Sequence, residues 1–295
     1  MKKYSDIIII YNPNSTGASE KLARAMQTKL QTANPEQKVT LAPTKRAQHA
    51  TELAYKLAKK SSHPLIISAS GDGGYHEVVN GLMRAQAEGA QPVAGLLPAG
   101  NANDHFHNLH KGDFVEAVTN GKEHRIDVLK LTATRHGQPF ERYAHSYIGM
   151  GLTSKVSREL NKTRLKRFKE ALIVAKGLWR LKPVHLEIGG EVSEYDSIIF
   201  SNVNRMSKVF LLSKETKMDD GKFEVTAILR RDKFKLITAM LKASTTGLGS
   251  ATQTDSFAFQ TVKPTLVQLD GEVTKIDART TANVTLEPRA LHCIV

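Results

Sequence analysis

Three turns rich in glycine and asparagine dominate the first hundred residues: Tyr11-Asn12-Pro13-Asn14-Ser15-Thr16-Gly17, Ser70-Gly71-Asp72-Gly73-Gly74-Tyr75-His76-Glu77 and Leu97-Pro98-Ala99-Gly100-Asn101-Ala102-Asn103-Asp104. Glycine lets backbone N–H groups converge without a Cβ in the way. A helix opening behind such a turn points its positive end at the same spot, so phosphate is the natural guest. One such turn is a common strand-to-helix connection. Three of them after successive parallel strands would share the carboxyl edge of a sheet, where ligands bind. No G-x-x-x-x-G-K-[ST] occurs, and Tyr75, His76 and Glu77 interrupt G-x-G-x-x-G, which weighs against P-loop and standard dinucleotide sites. Two Asp-Gly turns lie later, Asp270-Gly271-Glu272 and Asp219-Asp220-Gly221. Each reads first as a plain turn, with a carboxylate available for acid–base or metal chemistry.

Other reactive residues point nowhere specific. His105, His107 and His110 do not share a helical face, so a metal site there is disfavoured. Ser146, Ser201 and Ser213 lack a G-x-S-x-G setting, and the single Cys293 can form neither an intramolecular disulfide nor a cysteine-based zinc site. A reducing, cytoplasmic setting fits.

The positioning elements follow from periodicity. Apolar runs at Ile7 to Tyr11, Val39 to Ala42, Leu65 to Ser68 and Val93 to Leu97 alternate with helical patterns at 18–33, 47–60, 75–87 and 112–119. That alternation requires a parallel α/β sheet with helices on its faces. From about Ile126 the pattern changes to alternating strand-like segments, as an antiparallel sandwich requires, with helical interruptions at about Leu152 to Leu181 and Asp232 to Ala243. The expected fold is therefore an N-terminal three-layer α/β nucleotide-binding domain, residues 1–125, and a C-terminal β-sandwich domain, 126–295.

Composition is ordinary for a globular chain, at 40% hydrophobic and 24% charged, but the formal charge of +13 is not. It asks for an anionic partner: nucleic acid, a phosphorylated ligand or an acidic membrane face. Only 6% aromatics and no recognisable binding motif disfavour nucleic acid. The opening MKKYSDIIII is too short in its apolar part for a signal peptide, and no stretch approaches the roughly 20 apolar residues of a spanning helix.

The three turns, in this order and spacing, resemble the motifs of the diacylglycerol kinase catalytic family. YNPNSTG is similar to its first nucleotide motif, SGDGGYHEVVNGL to G-G-D-G-T-x-x-E-V-V-N-G-L, and LLPAGNANDHF to P-x-G-T-x-N-D-F; LLSKETKMDDGKFEV and VQLDGE resemble its later motifs. The resemblance implies that Asn12, Pro13, Asn14, Ser15 and Thr16, with the loop Ser70, Gly71, Asp72, Gly73, Gly74, Tyr75 and His76, hold the phosphates of ATP. Thr44 and Asn101 would add contacts, and Asp72 and Asp104 would organise the phosphates and a catalytic Mg2+. Glu272, within Asp270-Gly271-Glu272, would be the general base that takes the lipid hydroxyl proton. A structural Mg2+ would lie on the Asp220 carboxylate and the carbonyls of Lys217 and Lys222. The residues from about Ala282 would return to the first domain.

The resemblance thus implies Mg-ATP-dependent phosphorylation of a lipid alcohol, with diacylglycerol as acceptor and phosphatidic acid as product. An NAD kinase-like or other small-alcohol kinase is the alternative, and self-association as a homodimer stays open. Such an enzyme would be cytoplasmic and peripheral at an anionic inner membrane surface. The segment Lys155 to Lys182 carries ten cations against two glutamates and would dock there. Three positions depart from the family pattern: Gly74 and Asn101 stand where threonine is usual, and His76 where asparagine is usual. Threonine at 74 and 101 would then be expected to tighten Mg-ATP binding. His76 reads either as a replacement phosphate donor or as a solvated helix-start residue.

Overall fold

The computed structural model describes residues 3–15, 18–100, 103–110, 112–151, 183–206, 210–211, 216–230 and 251–295. Thr16, Asn101, the basic segment Lys155 to Lys182 and the helix expected at Asp232 to Ala243 lie outside these residues. The chain forms two compact units, Met1–Val128 with Pro288–Val295, and Leu129–Glu287.

The first unit is built from β1 (Ile7–Tyr11), α1 (Ser19–Ala33), β2 (Val39–Pro43), α2 (His49–Ala58), β3 (Leu65–Ser70), α3 (Asp72–Ala87), β4 (Val93–Pro98), α4 (Asp104–Leu109) and α5 (Phe114–Asn120). The strands pair in parallel in the order β4-β3-β1-β2. Alternation of side chains along β1 divides its isoleucines between the two faces of the sheet. Ile7, Ile9 and Tyr11 join Ala23 and Leu30 of α1 and Ala117 of α5 in one core cluster. Ile8 and Ile10, also buried, belong to the opposite face. There α2 and α3 pack so closely that a Cβ on Gly81 would stand 2.3 Å from the Thr51 carbonyl oxygen, which restricts that position to glycine.

The second unit takes up the chain within β5 (Glu123–Arg135) and continues through β6 (Gln138–Ala144), β7 (Tyr147–Gly151), β8 (Val184–Ile188), β9 (Glu191–Ser201), β10 (Arg205–Met206), β11 (Phe210–Leu211), β12 (Phe223–Leu229), β13 (Thr252–Thr254), β14 (Ser256–Thr261), β15 (Thr265–Leu269), β16 (Glu272–Ile276) and β17 (Thr281–Ile294). Its ladders are antiparallel, running β16-β15-β7-β9-β8-β14-β17, with β12 on β9 and β6 on β5. One core takes Leu129, Ile148, Phe200, Phe223, Phe259 and Val267 from six strands. The end of β17 belongs to the first unit, where Cys293 pairs in parallel with Ala94 of β4.

Two-residue hairpin loops favour backbone with φ above zero at both positions, because that twist matches the flanking strands. His136 and Gly137 between β5 and β6 have φ of 53° and 71°, and Asp270 and Gly271 between β15 and β16 have 48° and 97°. The first departure from the sequence reading is α4. Its six residues make fewer than two helical turns, too few to show a period, and they follow directly on a turn read for its ligand chemistry.

Candidate functional site

A cleft of about 430 Å³ opens at the carboxyl edge of the first unit's sheet. Of the residues named from sequence, Asn12, Asn14, Thr44, Ser70, Gly74 and Glu77 line it, joined by Ser68, Lys45 and Arg46, which sequence reasoning did not single out. The first turn is shaped by its own side chain: Asn12 Oδ1 accepts the Asn14 N–H at 2.9 Å, and the Ser15 N–H donates to the Asn12 carbonyl at 3.2 Å. The Thr44 N–H donates to the Tyr11 carbonyl at 2.8 Å, which brings the loop after β2 beside the turn after β1. Ser19 is buried at the start of α1; it accepts the Asn12 N–H at 3.3 Å and donates to the Ala69 carbonyl. It therefore ties the first turn to the end of β3.

The second and third turns interlock through bare backbone. A Cβ on Gly71 would stand 2.9 Å from the Gly100 Cα, and one on Gly100 would stand 2.5 Å from the Gly71 Cα, so neither position tolerates a side chain. Asn103, part of the third motif and held at φ of 51°, closes the third turn. It accepts the Gly100 N–H at 3.0 Å and donates to the Gly100 carbonyl at 2.9 Å. Asp72, in the first turn of α3, accepts the His105 N–H at 3.3 Å and so joins α3 to α4. Asp104 opens α4 and is buried. Glu77 faces the cleft and accepts the N–H groups of Gln48 and Ala50 at 3.1 and 3.2 Å, which satisfies donors at the α2 N-terminus that have no helical partner.

Tyr75 and His76 turn away from this cleft. Tyr75 is buried against the His105 ring at 5.0 Å, and His76 is buried with its Nε2 at 3.3 Å from the Asn80 amide nitrogen. The solvated reading of His76 is thereby corrected: the helical period sets residues 75 and 76 on the inner face of α3, whereas Gly74 and Glu77 face the cleft. His110, from the histidine group, sits between Phe106 and Phe114 at 4.6 and 5.7 Å, and burial pushes its pKa down to about 4.

Gly74 has a direct explanation. A Cβ there would meet Ser70 Cβ at 2.6 Å and Ser70 Oγ at 2.7 Å, and real Cβ atoms do not approach that closely. The Ser70 hydroxyl lies where a side chain at 74 would have to go, on the cleft wall and 2.7 Å from Ser68 Oγ. This contact argues against threonine at 74 tightening nucleotide binding, because the added side chain would collide with Ser70.

In the second unit the Asp-Gly-Glu turn separates its two carboxylates. Asp270 is fully buried, and its carboxylate accepts three successive backbone N–H groups, His145 at 2.8 Å, Ser146 at 2.9 Å and Tyr147 at 3.1 Å. His145 Nε2 stands 3.4 Å from the same carboxylate. That occupation makes Asp270 a positioning group for the hairpin. Glu272, two residues on, is exposed and lines a separate cavity of about 460 Å³ within this unit.

The structural metal site expected from sequence would gain one carboxylate. Asp220 is exposed, with Oδ1 accepting the Lys222 N–H at 3.1 Å. Glu224 is buried, with Oε1 on the Gln253 amide at 3.2 Å and Oε2 lacking a hydrogen-bond partner among the described residues. Burial, reinforced by the charge of Asp220, pushes the Glu224 carboxyl above its usual range. Carboxylate and carbonyl oxygens of this kind suit a hard cation such as Mg2+, which would also relieve the buried charge. No group of three His, Cys, Asp or Glu side chains able to hold a metal gathers among the described residues.

Turns that present backbone N–H groups at the edge of a parallel sheet suit a phosphate-bearing ligand, and the comparisons give the class, a lipid kinase. The diacylglycerol kinase catalytic domain model matches residues 6–131. The diacylglycerol kinase of Bacillus subtilis is 31% identical over 233 residues, covering 74% of this chain and 71% of that one. That of Staphylococcus carnosus is 27% identical over 249 residues, covering 80% and 76%. The chain belongs to the diacylglycerol kinase catalytic family. The crystal structure of a diacylglycerol kinase from Bacillus anthracis shares the fold, with a TM-score of 0.72 at 18% identity over 100% of this chain and 98% of that one.

Two outcomes follow. Gly74→Thr is expected to weaken Mg-ATP binding at least severalfold, and Ser70→Gly in the same chain to restore it, because only the pair exchanges which position carries the hydroxyl. Calorimetric titration of both variants checks this; tighter binding by Gly74→Thr alone would refute it. For the second unit, millimolar Mg2+ is expected to raise the melting temperature of the wild type. Asp220→Asn and Glu224→Gln should each lose most of that shift.

Proposed function

We propose that this chain transfers the γ-phosphoryl group of ATP to a hydroxyl of diacylglycerol, giving phosphatidic acid and ADP. The cleft walled by the turns after β1, β2 and β3 carries the reading, because its backbone and side-chain donors suit a chain of phosphates. Asn12, Asn14, Ser68, Ser70 and Thr44 would bind and orient those phosphates, with Lys45 supplying positive charge at the rim, where Arg46 is paired with Glu52 at 2.6 Å. Asp72 and Asp104 would hold Mg2+, which when bound would supply charge to neutralise the phosphates. Glu272, exposed on its turn, would accept the proton from the lipid hydroxyl as the new O–P bond forms and the bond between the γ-phosphorus and its bridging oxygen breaks. Phosphoryl transfer needs little more than such positioning and charge neutralisation. Asp270 would act through Glu272 by holding the turn rigid.

Glu272→Gln keeps the shape of the side chain and removes its basicity. Phosphorylation of dioctanoylglycerol is expected to fall about 100- to 10,000-fold, with Mg-ATP affinity nearly unchanged. Normal turnover by this variant would reassign the base.

The substrate lies in a bilayer, and among the described residues no helix is long and apolar enough to cross one. The reading therefore includes peripheral docking on an anionic surface, supported by the charge of +13. Sedimentation with phosphatidylglycerol vesicles is expected to weaken steeply as salt rises, and binding to neutral vesicles that ignores salt would count against it.

A further inference from the structure

The loop between β2 and α2, residues 44–48, walls one side of the cleft in the first unit and is tied down through its backbone. At its start the Thr44 N–H donates to the Tyr11 carbonyl at 2.8 Å. At its end Glu77, reaching from α3, accepts the N–H groups of Gln48 and Ala50 at 3.1 and 3.2 Å. Gln48 sits there at φ of 61°, a left-handed conformation that a residue with a side chain seldom adopts unless its surroundings hold it. Between these anchors the chain turns back on itself. The His49 N–H donates to the Arg46 carbonyl at 3.3 Å, and the Lys45 N–H donates to Nδ1 of the His49 ring at 3.1 Å. A ring nitrogen that accepts carries no proton, so Nδ1 is the bare nitrogen of this imidazole and Nε2 carries the hydrogen. The two cations of the loop are used differently. Arg46 is spent on Glu52, whose oxygens it meets at 2.6 and 2.8 Å. Lys45, exposed at the cleft rim, forms no ion pair among the described residues.

A cation without an acid, on a wall of backbone donors and hydroxyls, suits a phosphate. We propose that His49 is a positioning residue for nucleotide binding: by accepting the Lys45 N–H it fixes the backbone of that residue and aims its ammonium at the phosphates of ATP. His49 is not among the residues that line the cleft, so its effect passes through Lys45. A lysine stem has many rotamers to lose when its ammonium is captured, and a backbone already set in direction leaves fewer of them to be lost on binding. The inference rests on the cleft as the ATP site and adds the group that orients its unpaired cation. Asparagine carries an acceptor, Oδ1, at the same distance along the side chain as Nδ1 of histidine. Leucine fills similar space there and accepts nothing.

The test is a double-mutant cycle on the whole chain: Lys45→Gln, His49→Leu and the two together, with His49→Asn as the conservative variant, read by calorimetric titration of Mg-ATP and of adenosine. His49 is half-buried and Lys45 exposed, so these variants are expected to fold. Lys45→Gln should weaken Mg-ATP binding about tenfold, the usual loss for a charge-assisted contact, and His49→Leu should weaken it severalfold. His49→Asn should bind Mg-ATP as the wild type does. In the Lys45→Gln chain, His49→Leu should cost nothing further, and adenosine, which has no phosphate, should bind every variant alike. In turnover the KM for Mg-ATP should rise in His49→Leu while the KM for dioctanoylglycerol stays the same. An equal loss from His49→Leu in both backgrounds would overturn the proposal, since the ring would then shape the loop without aiming Lys45. Wild-type affinity in His49→Leu, or adenosine weakened as much as Mg-ATP, would overturn it equally. If the cycle comes out as expected and no lipid is phosphorylated, the positioning role stands and the lipid kinase reading fails. If the wild type does not bind Mg-ATP, the reading of the cleft and this inference fall together.

Discussion

The turns of this protein keep their shape because side-chain oxygens accept backbone N–H groups that no helix or ladder can use. Asp270 takes three such donors, Asp277 two and Glu77 two, and Asn103 both accepts from and donates to Gly100. Leaving one such group buried and unpaired costs about 1–3 kcal/mol, so a single carboxylate that satisfies several of them holds a loop more firmly than packing at its surface could. At the second unit's hairpin the group proposed to do chemistry is then free of structural work. Asp270 carries the turn, and the neighbouring Glu272 is left exposed.

Around the cleft of the first unit the same economy is achieved with missing atoms. Gly71 and Gly100 let two loops touch backbone to backbone, and Gly74 leaves room for the Ser70 side chain. Each such contact couples two positions, so a substitution at one has to be read with its partner. A threonine at 74 is an improvement only in a chain whose residue 70 has no side chain in the way.

Charge follows a pattern in the second unit. Where the protein needs an acid for its own architecture it surrounds that acid with donors, as at Asp270 and Asp277. Glu224, beside the Asp220 turn, instead keeps one buried oxygen with no hydrogen-bond partner among the described residues. Uncompensated charge is costly in isolation and is retained where something outside the chain completes it.

From the sequence alone, the strands β1 to β4 and the helices α1 to α3 were legible, because apolar residues recur at the periods of strand and helix over lengths sufficient to show them. So was the order of the three turns, since glycine and asparagine mark such places by their own backbone freedom. Tertiary structure decided the rest. Which way Tyr75 and His76 point depends on the phase of α3 against its sheet, and which carboxylate of Asp270-Gly271-Glu272 is buried depends on residues 145–147, more than a hundred positions away. Ser19 and Glu224 carry no local signal, because each gains its role from a backbone group or a charge that only folding brings beside it.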